Sequence, residues 1–258
     1  MSGAQVPADD RGLLLGDGLF ETILALDGAL QRWDTHLARM ARGCAVIGIA
    51  PPDQAAALAA AEAALAETGL GSGRAAVRLT LTAGTGRGLE RPASAQGRLI
   101  AQAFPAPPVE GPIRLAIVPI RRNETSPLSR IKSLSYLDNI LARRQARELG
   151  ADEALLLNGR GEIACAAAAN LFWIREGRLF TPALDCGVLE GVRRGQVIET
   201  ATAMGIEVAE LAAPVQTLEG AQGAFVTNSL IGVRSVGWLD GRPLAASPLT
   251  SALSSRCS

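Results

Sequence analysis

Arg130-Ile131-Lys132-Ser133-Leu134 is the stretch on which the reading of this chain turns. Lys132 is the only lysine among 258 residues, and the other 24 cationic side chains are arginine. An average composition would supply roughly 16 lysines. At a surface, arginine does most of what lysine does. It cannot form a Schiff base with a carbonyl, because its guanidinium stays protonated and is not nucleophilic. Lys132 is therefore either a leftover surface residue or an amine kept for its chemistry, and its surroundings in the sequence decide between the two.

Composition narrows the classes. Apolar residues make up 48% of the chain and charged ones 19%, enough for a sizeable core in one large domain or two modest ones. The 25 cationic and 25 acidic side chains cancel, and no basic block occurs, which argues against nucleic acid and anionic membrane as partners. Met1 to Asp10 is polar and reads as no signal peptide. No apolar run approaches the roughly 20 residues of a membrane span. Cys44, Cys165, Cys186 and Cys257 form no CxxC pair, and His36 is the sole histidine, so no metal site is expected. Reduced thiols in a cytoplasmic protein are the expectation.

Along the chain, Gly16-Asp17-Gly18 is a turn running into a strand, and Asp27-Gly28 is a hairpin signal. Asp34 is expected to N-cap a helix with the apolar stripe Leu37, Met40, Cys44 and Ile47. Pro51-Pro52-Asp53 opens an alanine-rich helix that stops near Gly71. Residues 74–82 alternate as a strand, 83–88 form a glycine-rich loop and 97–104 a second strand. Pro105 to Pro112 is the linker candidate. A strand over 113–120 follows, then a helix from Tyr136 to Leu149 closed by Gly150. Hairpins are expected around Asn158-Gly159 and Glu176-Gly177, a helix over Gly191–Met204, and short strands over 224–227 and 233–236. Strands and helices mix without βαβ regularity, which predicts an α+β fold in two domains.

Several stretches taken together are similar to the fold-type IV pyridoxal-phosphate enzymes. They are Gly16-Asp17-Gly18-Leu19-Phe20-Glu21-Thr22, His36-Leu37-Ala38-Arg39-Met40, Gly84-Thr85-Gly86-Arg87-Gly88, Ile131-Lys132-Ser133-Leu134, Ala168-Ala169-Asn170-Leu171-Phe172-Trp173, Thr181-Pro182, Gly191-Val192-Arg193 and Phe225-Val226-Thr227-Asn228-Ser229-Leu230. Each is weak alone, but they fall in the family's order over nearly the whole chain. The family includes branched-chain and D-amino-acid aminotransferases and 4-amino-4-deoxychorismate lyase. The flanks Arg122-Asn123-Glu124, Ser126-Pro127-Leu128 and Ser135-Tyr136-Leu137 most resemble the lyases. The resemblance implies a small N-terminal α/β sandwich domain (1–104), a linker (105–112) and a larger C-terminal pseudo-barrel domain (113–258) carrying the Schiff-base lysine. It also implies a homodimer with the active site near its interface.

The resemblance gives each motif a role. Lys132 becomes the lysine that binds pyridoxal 5′-phosphate and moves the proton at the substrate α-carbon. That task needs a neutral amine, hence desolvation by flanks such as Ile131 and Leu134, or a nearby cation such as Arg130. Arg39, off the apolar stripe and otherwise read as a solvated helical arginine, becomes a phosphate ligand, a role suited to a guanidinium fork. Backbone N–H groups of Val192 and Arg193 at a helix start, and Ser229 after Asn228, would bind the same phosphate. Leu189 would pack on the pyridine ring. Arg87 would bind a carboxylate of an amino-acid-like substrate. Phe20 and Thr22 share one strand face by period-two alternation, and by resemblance that face lines the substrate pocket, with Thr22 at the catalytic centre. His36 is read as a structural hydrogen-bonder.

Two departures stand out. The family places a glutamate against the pyridine nitrogen, and counting back from Asn170 that position is Cys165. Glu162, three residues earlier, should face the other way on a regular strand. A neutral thiol is a weak donor and holds charge on the ring poorly. Transamination should suffer most, and a lyase whose product is aromatic should suffer least. The chain also starts at Asp10-Arg11-Gly12 of the family pattern, so the N-terminal sheet is expected to be one strand short. The expected activity is a lyase giving 4-aminobenzoate and pyruvate for folate synthesis. The alternatives are an aminotransferase of branched-chain or D-amino acids and a cofactor-binding homologue with weak catalysis.

Overall fold

The computed structural model of the protein describes residues 5–257, so the first four residues of the polar N-terminal stretch lie outside it. The described chain forms two compact units. One comprises residues up to Pro107 together with Ile131–Ser135, and the other comprises Pro108–Arg130 and the chain from Tyr136 onward. The unit boundary thus falls inside the expected proline-rich linker.

In the first unit, α1 (Arg11–Leu15) is a short helix that the periodicity did not announce. Asp10 caps it by accepting the Gly12 N–H, and Gly16, at φ 66°, ends it in the left-handed region that glycine enters without strain. β1 (Gly18–Leu26) and β2 (Ala29–Leu30) form the expected Asp27-Gly28 hairpin. α2 (Trp33–Ile47) starts one residue before the expected cap: Arg32 is the N-cap residue at φ 53°, and Asp34 sits in the first turn. α3 (Gln54–Glu67) is capped by Asp53, whose carboxylate accepts the Ala56 N–H. β3 (Arg74–Thr82) and β4 (Arg98–Pro105) complete an antiparallel sheet in the order β2-β1-β3-β4. Leu19, Ile23, Val77 and Leu79 face Leu37, Met40 and Cys44 of α2 and Ala57, Ala61 and Leu65 of α3.

Ile131–Ser135 joins this first unit, which corrects the assignment of Lys132 to the C-terminal domain. The reason is backbone pairing. Ser133 bridges Leu19, the Phe20 N–H donates to the Lys132 carbonyl at 2.9 Å, and the Leu134 N–H donates to the Gly18 carbonyl at 3.0 Å. Ile131 also enters the first unit's core, a burial of about 1.5–3 kcal/mol for a side chain of this size. Gly43 makes room for Leu19 beside it: a Cβ there would lie 2.9 Å from the Leu19 side chain.

The second unit contains β5 (Ile113–Arg122), α4 (Leu137–Glu148), β6 (Glu153–Asn158), β7 (Ile163–Ala166), β8 (Asn170–Arg175), β9 (Arg178–Pro182), α5 (Val192–Ala203), β10 (Val208–Leu211), β11 (Gly223–Asn228), β12 (Gly232–Leu239), β13 (Arg242–Pro243) and α6 (Pro248–Arg256). Its sheet, curled into a half-barrel, runs β10-β9-β8-β11-β12-β5-β6-β7, with β13 on β12. The hairpins expected around Asn158-Gly159 and Glu176-Gly177 form. Two parallel crossovers occur, β5 to β6 across α4 and β9 to β10 across α5, among otherwise mostly antiparallel pairs, so the mixture lacks βαβ regularity as expected. Among the described residues no helix is long and apolar enough to cross a membrane. The whole is an α+β fold of the expected type.

Candidate active site

The face of the first sheet turned away from α2 and α3 carries Phe20 and Thr22 of β1, as alternation required. Opposite them on β3 stand Thr80 and Arg78. Lys132 Nζ lies 4.2 Å from the Phe20 ring centroid, and the Arg78 guanidinium carbon lies 3.8 Å from it. The cation that shares this ring with Lys132 is therefore Arg78. Arg130, the expected neighbour, is exposed. Arg78 was passed over in the sequence because one arginine in an alternating strand reads as solvated. Its signal was its register opposite Thr22.

The other face of β1 holds a buried charge. Glu21 alternates with Leu19 and Ile23, so it points among the helices and is 0% exposed. Arg39 reaches it with Nε at 2.8 Å and Nη2 at 2.5 Å, and His36 Nδ1 lies 2.7 Å from its Oε2. Burial alone would raise the Glu21 carboxyl. The Arg39 charge and the hydrogen bonds from His36 and Arg39 outweigh it and bring the carboxyl down to about 2. Burial lowers His36, against the opposing hydrogen bond from Glu21. The imidazole therefore stays neutral near pH 7, with its Nδ1–H donating to the ionised carboxylate. Arg39 is 8% exposed, so the solvated reading is wrong, and His36 is the hydrogen-bonder expected. Glu21 itself was missed; a carboxylate among the inward residues of a strand was the available signal.

In the second unit, the turn before α5 is fixed by Asn170, whose Nδ2 donates to the Leu189 carbonyl at 2.9 Å. A Cβ on Gly191 would lie 2.0 Å from Asn170 Oδ1, so any larger residue at this helix start would displace the Asn170 amide from its bond to Leu189. No side chain caps α5, which leaves the N-terminal amides of Val192 and Arg193 without a side-chain acceptor at the cap. The Arg193 side chain points elsewhere, donating to Gln196 and to the Cys257 carbonyl. Leu189 is half-buried on this turn. Asn228 is used locally: its Nδ2 donates to the Ala168 carbonyl and its Oδ1 accepts from Leu230 and Ile231. It shapes the turn that carries Ser229. Next to it, Thr227 Oγ1 is buried without a hydrogen-bond partner among the described residues.

Cys165 lies on β7 opposite Leu156, while Leu157 pairs with Ile163. Ala164 is thus the extra residue of a β-bulge, a device that re-aims the side chains beside it. The parity argument that turned Glu162 away from Cys165 therefore fails. Glu162 is engaged by Asn158 Nδ2 at 2.7 Å and Arg160 Nε at 2.8 Å. Burial pushes the Cys165 thiol up, so it is neutral near pH 7. All four cysteines are free and buried.

Arg87 is exposed on the loop after β3. The loop is held by side chains to which the sequence reading gave no such role. Arg11 donates to the carbonyls of Gly88, Leu89 and Glu90 and to Asp17, and Arg91 pairs with Asp17 as well. The hydrogen bond from Arg91, against the opposing effect of burial, lowers the Asp17 carboxyl, and Arg11 adds to it.

Each unit therefore carries its own part of the expected set. Lys132, Phe20, Thr22, Arg39 and Arg87 stand in the first, and Cys165, Leu189, Val192, Arg193, Asn228 and Ser229 in the second. The residues of each unit suit part of a phosphorylated pyridine aldehyde: in the first, Lys132 offers an amine to its carbonyl, and in the second, the start of α5 offers amides without a side-chain cap to an anion. Among the described residues no group of side chains could hold a metal ion.

Comparison with known proteins agrees. The chain is 33% identical, over 93% of its length and 84% of the relative, to a protein of Methanocaldococcus jannaschii named a branched-chain-amino-acid aminotransferase. The solved 4-amino-4-deoxychorismate lyase of Pseudomonas aeruginosa superposes with a TM-score of 0.88 at 32% identity, covering 98% of this chain and 94% of the lyase. A T.th. branched-chain amino acid aminotransferase, complexed with N-(5′-phosphopyridoxyl)-L-glutamate, superposes with a TM-score of 0.89 at 25% identity, covering 99% and 88%. The amino-transferase class IV family matches residues 18–237, and the chain belongs to this family of pyridoxal-phosphate enzymes.

Proposed function

We propose that the protein is a lyase resembling 4-amino-4-deoxychorismate lyase, releasing 4-aminobenzoate and pyruvate in the cytoplasm for folate synthesis. The observation that carries this reading is the buried neutral thiol of Cys165 where the family pattern has a carboxylate. Bound pyridoxal phosphate supplies an electron sink for charge developing at the substrate α-carbon. Without a carboxylate at the ring nitrogen that sink is weak. A reaction whose product becomes aromatic has its own driving force and tolerates it best.

The residues divide the work. Lys132 would hold the cofactor through its amine, and as a neutral amine it would take the proton from the substrate α-carbon. Arg39, the amides of Val192 and Arg193, and Ser229 bind the phosphate, with Asn228 shaping the Ser229 turn. Leu189 packs on the ring. Thr22 and Phe20 line the substrate face, and Arg87 binds a carboxylate. The two products carry one carboxylate each, so their precursor carries two, and Arg78 beside the Phe20 ring supplies a cation for the second. A homodimer is part of this reading.

Purified protein with cofactor is expected to release pyruvate from aminodeoxychorismate, followed by a coupled lactate dehydrogenase assay. Absence of pyruvate would sink the reading. The second reading is an aminotransferase, favoured by the 33% identity to the Methanocaldococcus jannaschii protein. It requires alanine or leucine alone to convert the cofactor spectrum stoichiometrically, with 2-oxo acids reversing the change. Under the lyase reading, that conversion is slow in the native protein. Cys165→Glu is then expected to speed it by about tenfold or more, the effect of a tuned acid–base group. An unchanged rate would show that the thiol is not what suppresses transamination.

A further inference from the structure

We infer that Arg11 is a positioning residue for Arg87: it sets the loop from which Arg87 captures a substrate carboxylate. The inference rests on the carboxylate role proposed for Arg87. A loop reading Gly84-Thr85-Gly86-Arg87-Gly88 would ordinarily be mobile, because glycine gives the backbone freedom that must be lost on binding. Here both halves are tied down. The first half pairs with the segment before α1: Arg11 N–H donates to the Gly84 carbonyl at 2.8 Å, Gly86 N–H donates to the Asp9 carbonyl at 3.0 Å, and Asp10 bridges Thr85. Gly84 and Gly86 are glycines because the arc closes on itself. A Cβ would lie 2.0 Å from the Gln96 carbonyl oxygen in one case and 2.7 Å from Pro92 in the other.

The second half is held by one side chain. Arg11 Nη1 donates to the carbonyls of Gly88 at 2.9 Å and Glu90 at 3.1 Å, and Nη2 donates to that of Leu89 at 3.0 Å. Its Nε donates to Asp17 at 2.8 Å. Three consecutive carbonyls beside Arg87 thus converge on one planar fork, a geometry an ammonium cannot copy. Asp17 is itself fixed by Arg91, through Nη2 at 2.5 Å and Nε at 2.9 Å, and Arg91 Nη1 donates to the Ile47 and Gly48 carbonyls at the end of α2. Arg11 is 3% exposed and spent on these contacts, whereas Arg87 is exposed and makes no ion pair among the described residues. One arginine is consumed in ordering the loop, and its neighbour is presented to an anion. Ordering before binding removes that cost from the association step.

The test uses the holoenzyme and the single variants Arg11→Met and Arg87→Met with the double variant. 4-Aminobenzoate and pyruvate are titrated calorimetrically, a readout that needs no turnover. Arg87→Met is expected to weaken one of the two by at least about tenfold, as loss of a charged carboxylate contact does. Arg11→Met should weaken the same ligand on the order of tenfold, because a misplaced contact is a lost one. In the Arg87→Met background, Arg11→Met should cause no further loss. In steady state, Arg11→Met should raise KM and leave kcat within about twofold, the sign of lost binding common to ground and transition states. Arg11→Lys should fall between wild type and Arg11→Met, and it serves the same comparison if the methionine variant does not fold. Losses that multiply in the double variant would overturn the inference, since Arg11 would then act independently of Arg87. If Arg87→Met leaves both ligands unaffected, the carboxylate reading of Arg87 itself fails.

Discussion

Lys132→Arg is expected to yield a protein that folds, carries no yellow absorbance from covalently held cofactor, and has lost activity by about 10³-fold or more. The substitution keeps a cation of similar reach on the Phe20 ring, where Nζ now sits 4.2 Å from the centroid. It removes the amine that can deprotonate. Because the backbone of Lys132 pairs with Phe20 through its carbonyl, the short bridge to β1 should survive the change. Absorbance of the protein after dialysis against pyridoxal phosphate is one measurement and turnover the other. A Lys132→Arg protein that stays yellow would hold its cofactor without that residue, and the central assignment would fall.

Glu21→Gln is expected to cost about 3–5 kcal/mol of stability, the usual penalty for removing one partner of a buried ion pair. In a chain of this size that lowers Tm by roughly 10 °C. Gln fills the same space, so the loss would come from the Arg39 charge left uncompensated. The wild type should show the same network in its acid response. The Glu21 carboxyl is held at about 2 in the fold, against 4.5 when free, so its contribution is complete above 4.5 and is lost as pH falls toward 2. His36 is lowered from 6.5 in the fold, so it too must be protonated at a cost as pH drops below that value. Both groups act in the same direction. Urea unfolding of the wild type should weaken progressively below pH 6.5 and steeply below 4.5, and Glu21→Gln should flatten the lower part of that curve. An unchanged curve in the variant would remove Glu21 as the source. Cofactor binding should weaken in the same variant, because Arg39 loses the partner that orients it.

Much of the site was legible because its residues are chemically unlike their surroundings. Lys132 stands out by composition alone. Phe20 and Thr22 share a face because strand geometry allows no other arrangement. The uncapped start of α5 at Val192 and Arg193 follows from a glycine at the N-cap. The rest was hidden where a residue's role depends on what the fold brings to it. Arg39 and Glu21 are 18 residues apart and meet across a helix–sheet interface. Arg11 and Glu90 are 79 apart. A charged residue in an alternating strand or a helix has solvation as its default reading, and only a distant partner overturns it. The parity argument for Glu162 failed for a related reason: the bulge at Ala164 shifts the alternation, and no residue type announces it.

The sequence by itself determined the α+β class, the break within the proline-rich segment and most of the elements, and it singled out Lys132 as the one lysine. Those properties rest on local spacing, turn chemistry and composition, each confined to a few neighbouring residues. The tertiary structure alone decided that Lys132 belongs with the first unit. It also decided that Arg78, not Arg130, shares its ring, that Arg39 is anchored on a buried carboxylate, and that Arg11 orders the loop of Arg87. Each of these depends on hydrogen bonds, ion pairs or cation–ring contacts between segments apart in the chain. Their strength comes from burial, and burial exists only once the units have closed around them.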